Sequence, residues 1–275
     1  MSNHPSTLRP VLKWAGGKSR LLPSLLPLLP NARRLVEPFV GAGSVFLATD
    51  YPSYILNDAS PELVAFWVAL KERPRQFVRD ASRLFCDANH SQSRYLELRN
   101  DFNASSDPYR QAVLLPYLNK FGFNGLHRVN RKGEFNVPYG KPASLPLFPF
   151  DAAAAAAGRL TSATILSGDF ATPMDMAGKG DVVYCDPPYL RSATGVSFTA
   201  YTARGFGIED HERLVILGKA AARRGATVLI SNHDTAETRE LYRDFELHSL
   251  TVGRSISAKS NQRGTCSEIV AILRG

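Results

Sequence analysis

Cysteine is scarce in this chain: three occur among 275 residues, at positions 86, 185 and 266. A set that is odd in number and scattered excludes a disulfide framework and a thiolate zinc site. A reduced protein with no metal is therefore expected. Long apolar runs are absent too. The stretch 21–29 is broken by Pro23 and Pro27, so neither a signal segment nor a membrane span is expected. Acidic charge is short, with 25 Asp and Glu against 33 Lys and Arg, a net charge of +8. That balance favours a polyanionic partner, most simply nucleic acid. Hydrophobic residues at 44% and charged residues at 21% belong to an ordinary folded protein, of one large domain or two smaller ones.

What is present centres on Asp181-Val182-Val183-Tyr184-Cys185-Asp186-Pro187-Pro188-Tyr189. A short apolar run bounded by breakers predicts a buried strand. Two prolines cannot continue a ladder, so the strand must stop at Asp186. In open α/β sheets, ligands sit beyond the carboxyl ends of strands, where these four residues would lie. Such a corner suits methyl transfer to an exocyclic amine. The Asp186 carboxylate and the Pro187 carbonyl can each accept an amine hydrogen, which localises the nitrogen lone pair for in-line attack. Pro187 and Pro188 stiffen the loop, and Tyr189 offers a stacking face. Strand alternation turns Cys185 away from Asp186, toward the core. The bland alternative is a strand-ending turn with a satisfied acid and a core tyrosine.

Residues 1–10 read as a tail. Lys13-Trp14-Ala15-Gly16-Gly17-Lys18-Ser19 hints at a phosphate loop. That motif requires a glycine where Leu12 stands and a preceding strand, so an NTPase is rejected. Trp14 supplies a stacking face, and Lys13 and Lys18 supply cations; a half-buried Trp with solvated lysines is the alternative. Residues 34–44 predict a strand entering the Gly41-Ala42-Gly43 turn, followed by a short helix. The third glycine of a dinucleotide fingerprint is missing at Phe46, so a nucleoside-sized ligand fits better than a pyrophosphate. Residues 54–58 predict a second strand ending on Asp58, seventeen positions after Gly41. That is near the ~20 expected of an acid that holds ribose hydroxyls. The alternative is a helix cap by Asp58 or Ser60 ahead of Pro61.

From 61 to about 125 the pattern turns helical, over 61–71, 74–89, 91–103 and 108–122, and reads as an inserted subdomain. Residues 119–141 then mix basic and amide side chains with aromatics and glycines. Asn130 to Gly133 would turn a hairpin sized for a major groove. Arg and Asn read purine edges, and lysines grip phosphates. Ala152–Ala157 predicts a helix. The strand at 164–167 ends in Gly168-Asp169-Phe170, an acid and a ring suited to an adenine. Residues 190–207 read as a loop over the site. A helix at 208–224 and a strand at 227–231 follow, with 232–234 as a turn in which His233 fits a cap better than the alternative, a catalytic role. The last strands fall at 246–252 and 268–273. The intervening 253–264 carries Arg254, Lys259 and Arg263, suited to phosphate contacts.

Taken together, Lys13–Lys18, Glu37-Pro38-Phe39-Val40-Gly41-Ala42-Gly43-Ser44, Phe123-Asn124-Gly125-Leu126, Phe135-Asn136-Val137-Pro138-Tyr139-Gly140, Asp186–Tyr189 and Ile230-Ser231-Asn232-His233-Asp234 carry a resemblance. The chain resembles the Dam-type, D12 class DNA N6-adenine methyltransferases over 12–273. The resemblance implies an α/β, Rossmann-like seven-stranded methyltransferase sheet. The catalytic domain would comprise 1–60 and 145–275, and the target-recognition subdomain 61–144, mainly helical with a β-hairpin. It implies S-adenosylmethionine as donor, held by Trp14, Lys18, Glu37, Phe39, Gly41, Gly43, Asp58, Asp169, Phe170 and Asp186. Catalysis would rest on Asp186, Pro187, Pro188 and Tyr189. Double-stranded DNA would meet Lys13, Asn124, Arg128, Asn130, Arg131, Lys132, Pro138, Lys141 and Arg254. Many relatives act on GATC, and several carry an aromatic wedge where Val129 stands. A cytoplasmic, nucleoid-associated monomer is expected. The weighed alternatives are transfer to cytosine N4, a catalytically silent DNA-binding regulator, and an RNA substrate.

Overall fold

The computed structural model describes residues 9–14, 16–190, 205–252 and 266–275. In chain order these form α1 (Leu22–Leu25), β1 (Arg34–Glu37), α2 (Ser44–Ala48), β2 (Ser53–Asp58), α3 (Pro61–Glu72), α4 (Pro74–Ser82), α5 (Gln92–Ala104) and α6 (Pro108–Phe121). Then come α7 (Phe150–Leu160), β3 (Ala163–Ser167), α8 (Ala171–Asp175), β4 (Asp181–Cys185), α9 (Ile208–Arg223), β5 (Thr227–His233), α10 (Ala236–Leu241), β6 (Glu246–Val252) and β7 (Cys266–Leu273).

The strands build one seven-stranded sheet in the order β3-β2-β1-β4-β5-β7-β6. The first five are parallel to their neighbours, and β7 runs antiparallel between β5 and β6. The chain steps outward from β1 to β3, then crosses back to place β4 on the other side of β1. Strand order therefore reverses between β1 and β4, whose carboxyl ends form the crevice where such sheets bind ligands. Glu37 ends β1, and Asp186 follows β4 directly.

Alternation along the strands divides the core. Leu35, Leu56, Val182 and Tyr184 face one apolar layer, and Val36, Ile55, Val183 and Cys185 face the other. The first layer continues without a break through Phe66, Trp67, Tyr95, Tyr117 and Phe121 on α3 to α6. The helical stretch after β2 thus shares its core with one face of the sheet. Cys185 lies in the second layer with its Sγ 3.7 Å from Met174 Sδ, and burial pushes its thiol pKa up, so it is a core residue.

Helix starts follow capping chemistry. Ser60 accepts from the Leu63 N–H ahead of Pro61, so Ser60 is the cap of α3 and Asp58 is left for other work. Ser91 and Asp107 cap α5 and α6 in the same way.

Four boundaries differ from the sequence-based expectation. The helix from 74 stops at Ser82, and only a short 3-10 turn, Asp87–Asn89, occupies its expected end. Strand β5 runs on to His233 because β7 pairs with it there, so Asn232 and His233 are strand residues rather than a turn. Strand β7 begins two positions early, at Cys266. The hairpin is not a continuous ribbon: its arms meet at two isolated bridges, Val129 with Phe135 and Gly122 with Tyr139.

Candidate active site

Glu37 and Asp186 come together because β1 and β4 are neighbours. Lys18, carried on a 3-10 turn (Lys18–Arg20), reaches into the same crevice. Its Nζ lies 2.7 Å from Asp186 Oδ1, donates to the Gly16 carbonyl at 2.8 Å, and sits 4.7 Å above the Tyr189 ring. Lys18 is buried, and a fifth of the Asp186 side chain is exposed. Burial raises the Asp186 pKa, and the Lys18 ammonium opposes that rise. Glu37 is buried, and burial pushes its carboxyl well above the ordinary range, with Asp186 adding to the effect. Its Oε1 has no hydrogen-bond partner.

The tetrad is held from behind by residues to which the sequence reading gave no role at the site. The Tyr189 hydroxyl donates to Glu268 Oε2 on β7 at 2.6 Å, and its ring meets His233 edge-on at 4.7 Å. Tyr189 is therefore a braced wall of the site. The Leu190 N–H donates to Asn232 Oδ1 at 3.1 Å, and the Tyr184 and Ser231 hydroxyls bond at 2.9 Å. His211 on α9 is buried behind Pro188; burial pushes its imidazole pKa down to about 4, against the pull of the Pro188 carbonyl. Proline has no N–H, so the carbonyl is the group facing that ring. The block 230–234 was the available signal for Ser231 and Asn232. Glu268 and His211 are joined to the site only by topology.

The glycine turn forms the other half of the crevice. Gly41 and Gly43 take positive φ, 52° and 72°, a region open to glycine at little cost. A Cβ on Gly41 would lie 3.2 Å from Trp14 Cδ1, so the indole rests on the turn. The Gly41 N–H donates to Asp58 Oδ2 at 3.0 Å, and the Ser60 N–H donates to Oδ1 at 3.0 Å. Both Asp58 oxygens stay fixed at the tip of β2 with lone pairs to spare. Burial raises the Asp58 pKa, and those N–H bonds counter it.

Beyond the tip of β3, Phe39, Phe170 and Phe206 cluster with centroids 5.3 to 5.7 Å apart. Phe206 was not anticipated; it joins from the far end of the 190–207 loop, of which 191–204 lie outside the described residues. Arg213 lies 4.5 Å over Phe170 and pairs with Asp169, so Asp169 is engaged and half exposed. Every residue assigned to the cofactor thus lies along the carboxyl edge of β1, β2, β3 and β4. The crevice suits a bulky cation bearing a nucleoside: an orphaned buried carboxyl oxygen and Asp186 for the charge, a glycine turn for close approach, Asp58 for hydroxyls, and three rings for a base. No cluster of three or more metal-ligating side chains occurs among the described residues.

The expected DNA-contacting residues form a second group. Lys13 is exposed, with its backbone clamped by Asn119: the Lys13 N–H donates to Oδ1 at 2.8 Å and Nδ2 donates to the Lys13 carbonyl at 2.7 Å. Asn119 also donates to the Gly125 carbonyl at 2.9 Å. Trp14 stacks on His127 at 4.8 Å, tying the loop 13–18 to the base of the hairpin. Asn124, Arg131, Lys132, Pro138 and Lys141 are exposed. Asn130 is spent on the turn itself, accepting from the Lys132 and Glu134 N–H groups and donating to Glu134. Arg128 is bonded to Asn136. Arg254, Lys259 and Arg263 lie outside the described residues.

Comparison with known proteins agrees with this geometry. A family model described as D12 class N6 adenine-specific DNA methyltransferase matches residues 14–256. The chain is 42% identical over 266 residues to a DNA adenine methylase of Vibrio cholerae serotype O1, covering 96% of each. It is 42% identical over 266 residues to the DNA adenine methylase of Escherichia coli K12, covering 97% of this chain and 95% of the relative. A solved structure of a precorrin 8w decarboxylase from Methanobacterium thermoautotrophicum covers 94% of this chain and 89% of its own at 12% identity and a TM-score of 0.37, too loose a likeness to carry an argument.

Proposed function

Because this chain belongs to the D12 class N6 adenine-specific DNA methyltransferases, we propose that it methylates adenine N6 in duplex DNA, with S-adenosylmethionine as donor and GATC as target. The observation that carries the reading is the Asp186 carboxylate at the β1–β4 crevice, against Lys18 and beside the glycine turn. The donor supplies an electrophilic methyl group when bound. Glu37, Asp58, the Gly41 turn and the rings of Phe39 and Phe170 would hold it, with Asp169 at its base.

A target adenine inside the stack is out of reach, so it must be extruded into the crevice. Asp186 and the Pro187 carbonyl then each accept one N6 hydrogen and localise the nitrogen lone pair. The acceptors are fixed before the base arrives, by Pro187-Pro188 and by the Asn232 and Glu268 bonds behind them, so little reorganisation remains. For this role Asp186 offers Oδ2 to the amine while Oδ1 stays against the Lys18 ammonium, which also donates to the Gly16 carbonyl. Residues 61–144 act as the target-recognition part, with Lys13 and the hairpin against the DNA. Action as a monomer in the cytoplasm suits this scheme.

Transfer of labelled methyl to duplex DNA, followed by nuclease digestion and mass spectrometry, tests the reaction. N6-methyladenine is the expected product. N4-methylcytosine, or no transfer, would overturn it. Single-molecule sequencing of DNA from expressing cells reads the target, and modification outside GATC would overturn that assignment.

A further inference from the structure

Asp169 and Phe170 are the acid and ring assigned to the base of the donor, and both are already engaged by one side chain. The Arg213 guanidinium on α9 takes both oxygens of Asp169. Its Nη1 donates to Oδ2 at 2.9 Å and its Nη2 to Oδ1, which also accepts from the Ala171 N–H at 2.8 Å. The same guanidinium lies 4.5 Å from the centre of the Phe170 ring. Phe39 at 5.3 Å and Phe206 at 5.7 Å close other approaches to that ring, and only 6% of Phe170 stays exposed. A purine has no room against Phe170 until one of these three neighbours withdraws.

Arg213 is the neighbour able to move. Its side chain is 44% exposed on a long stem, whereas Phe39 and Phe206 pack into the apolar layer of Val36 and Val183. A second carboxylate stands within reach: Asp210 lies three positions earlier on α9, a spacing at which side chains meet on one helix face. Its charge already acts on the guanidinium. A guanidinium is flat and carries N–H donors on its edge, the two features that a ring and an acid together recognise in adenine.

We propose that Arg213 occupies the seat of the donor's purine and competes with it: the base gains Asp169 and Phe170 only as the guanidinium turns out toward Asp210. Arg213 thereby sets the affinity for the donor and leaves the transfer step untouched. The proposal rests on the donor site assigned above.

The test is calorimetric titration of the whole chain with S-adenosylhomocysteine. Its net charge is zero near neutral pH, so a change of protein charge does not by itself move the result. An exposed ion pair and a cation over a ring together oppose the base modestly, so Arg213→Met should bind about 3- to 30-fold more tightly than the wild type. Arg213→Lys keeps the charge but neither the fork nor the flat face, and should gain part of that increase. Salt screens the exposed pair, so wild-type affinity should rise with salt relative to that of Arg213→Met. The single-turnover rate at saturating donor should be the same in all three. Unchanged binding by Arg213→Met overturns the proposal. Weaker binding overturns it too, by making Arg213 a direct contact of the bound donor. So does an affinity in Arg213→Lys equal to the wild type, which would reduce the effect to charge. If Arg213→Met does not fold, Arg213→Lys alone decides by the same criterion. If neither the wild type nor a variant binds S-adenosylhomocysteine, the donor assignment fails instead.

Discussion

Three side chains, Lys18, Glu37 and Asp186, concentrate the electrostatic cost of the site. Asp186→Ala should retain DNA binding and lose about 10²–10³-fold in kcat, the scale on which single fixed polar groups act in transition states; equal turnover by single-turnover assay would refute the mechanism. Asp186 accepts hydrogens best when ionised, so activity should fall as pH drops through its raised pKa. Lys18 holds that pKa down. Lys18→Met should therefore move the acidic limb of the kcat profile to higher pH. Glu37 bears on stability. Its folded pKa is raised, so the folded chain binds the proton more tightly than the unfolded one. The stabilisation is complete below the ordinary carboxylate pKa and is lost as pH rises through the folded value. Glu37→Gln cannot ionise, so its melting temperature, measured without ligand, should gain on the wild type from pH 5 to pH 8. A constant difference would mean that Glu37 keeps an ordinary pKa.

At the scale of elements, glycines that look alike in the sequence have opposite consequences. Gly43 precedes α2 at φ 72°, and a Cβ there would lie 3.0 Å from Trp67 ring carbons. The left-handed backbone costs about 1–2 kcal/mol for any other residue, and overpacking adds about 1–3 kcal/mol. Gly43→Ala should lose on the order of 2–5 kcal/mol in urea melts. Gly158, inside α7, has nothing within 4 Å of the position of a Cβ. Gly158→Ala should gain about 0.5–1 kcal/mol from helix propensity alone. Elements with their own punctuation were legible in advance: Ser60-Pro61, Ser91 and Asp107-Pro108 start helices where capping chemistry says they must. Strand β5 was read two residues short because its extension comes from β7, a neighbour no local pattern reveals. The hairpin was read as a ribbon because Asn130 to Gly133 carry turn residues. Instead the α5 side chains Asn103, Tyr95 and Arg99 take backbone groups on the 135–137 arm.

Across the whole molecule, the net charge of +8 and the exposed Lys13, Arg131, Lys132 and Lys141 set the partner. Affinity for a duplex should fall by about 10³-fold between about 50 and about 200 mM salt if some six phosphates are neutralised. A flat salt profile in fluorescence anisotropy would contradict a charge-led interface. Of the site, the residues on strand tips were legible, because Asp186, Asp58, Asp169 and the Gly41 turn each end a strand with a chemically pointed motif. Glu268, His211 and Phe206 were not, since only strand order and helix packing carry them to the site.

The Asn119 clamp on Lys13 joins positions 106 residues apart. Synthesis runs from the N-terminus, so the segment bearing Lys13 and Trp14 leaves the ribosome long before its anchor exists. The Lys18 pairing waits longer still, for Asp186. This early stretch is thus among the last to settle, and the nascent chain cannot complete the β1–β4 crevice until the helices α3 to α6 and the hairpin have already been made.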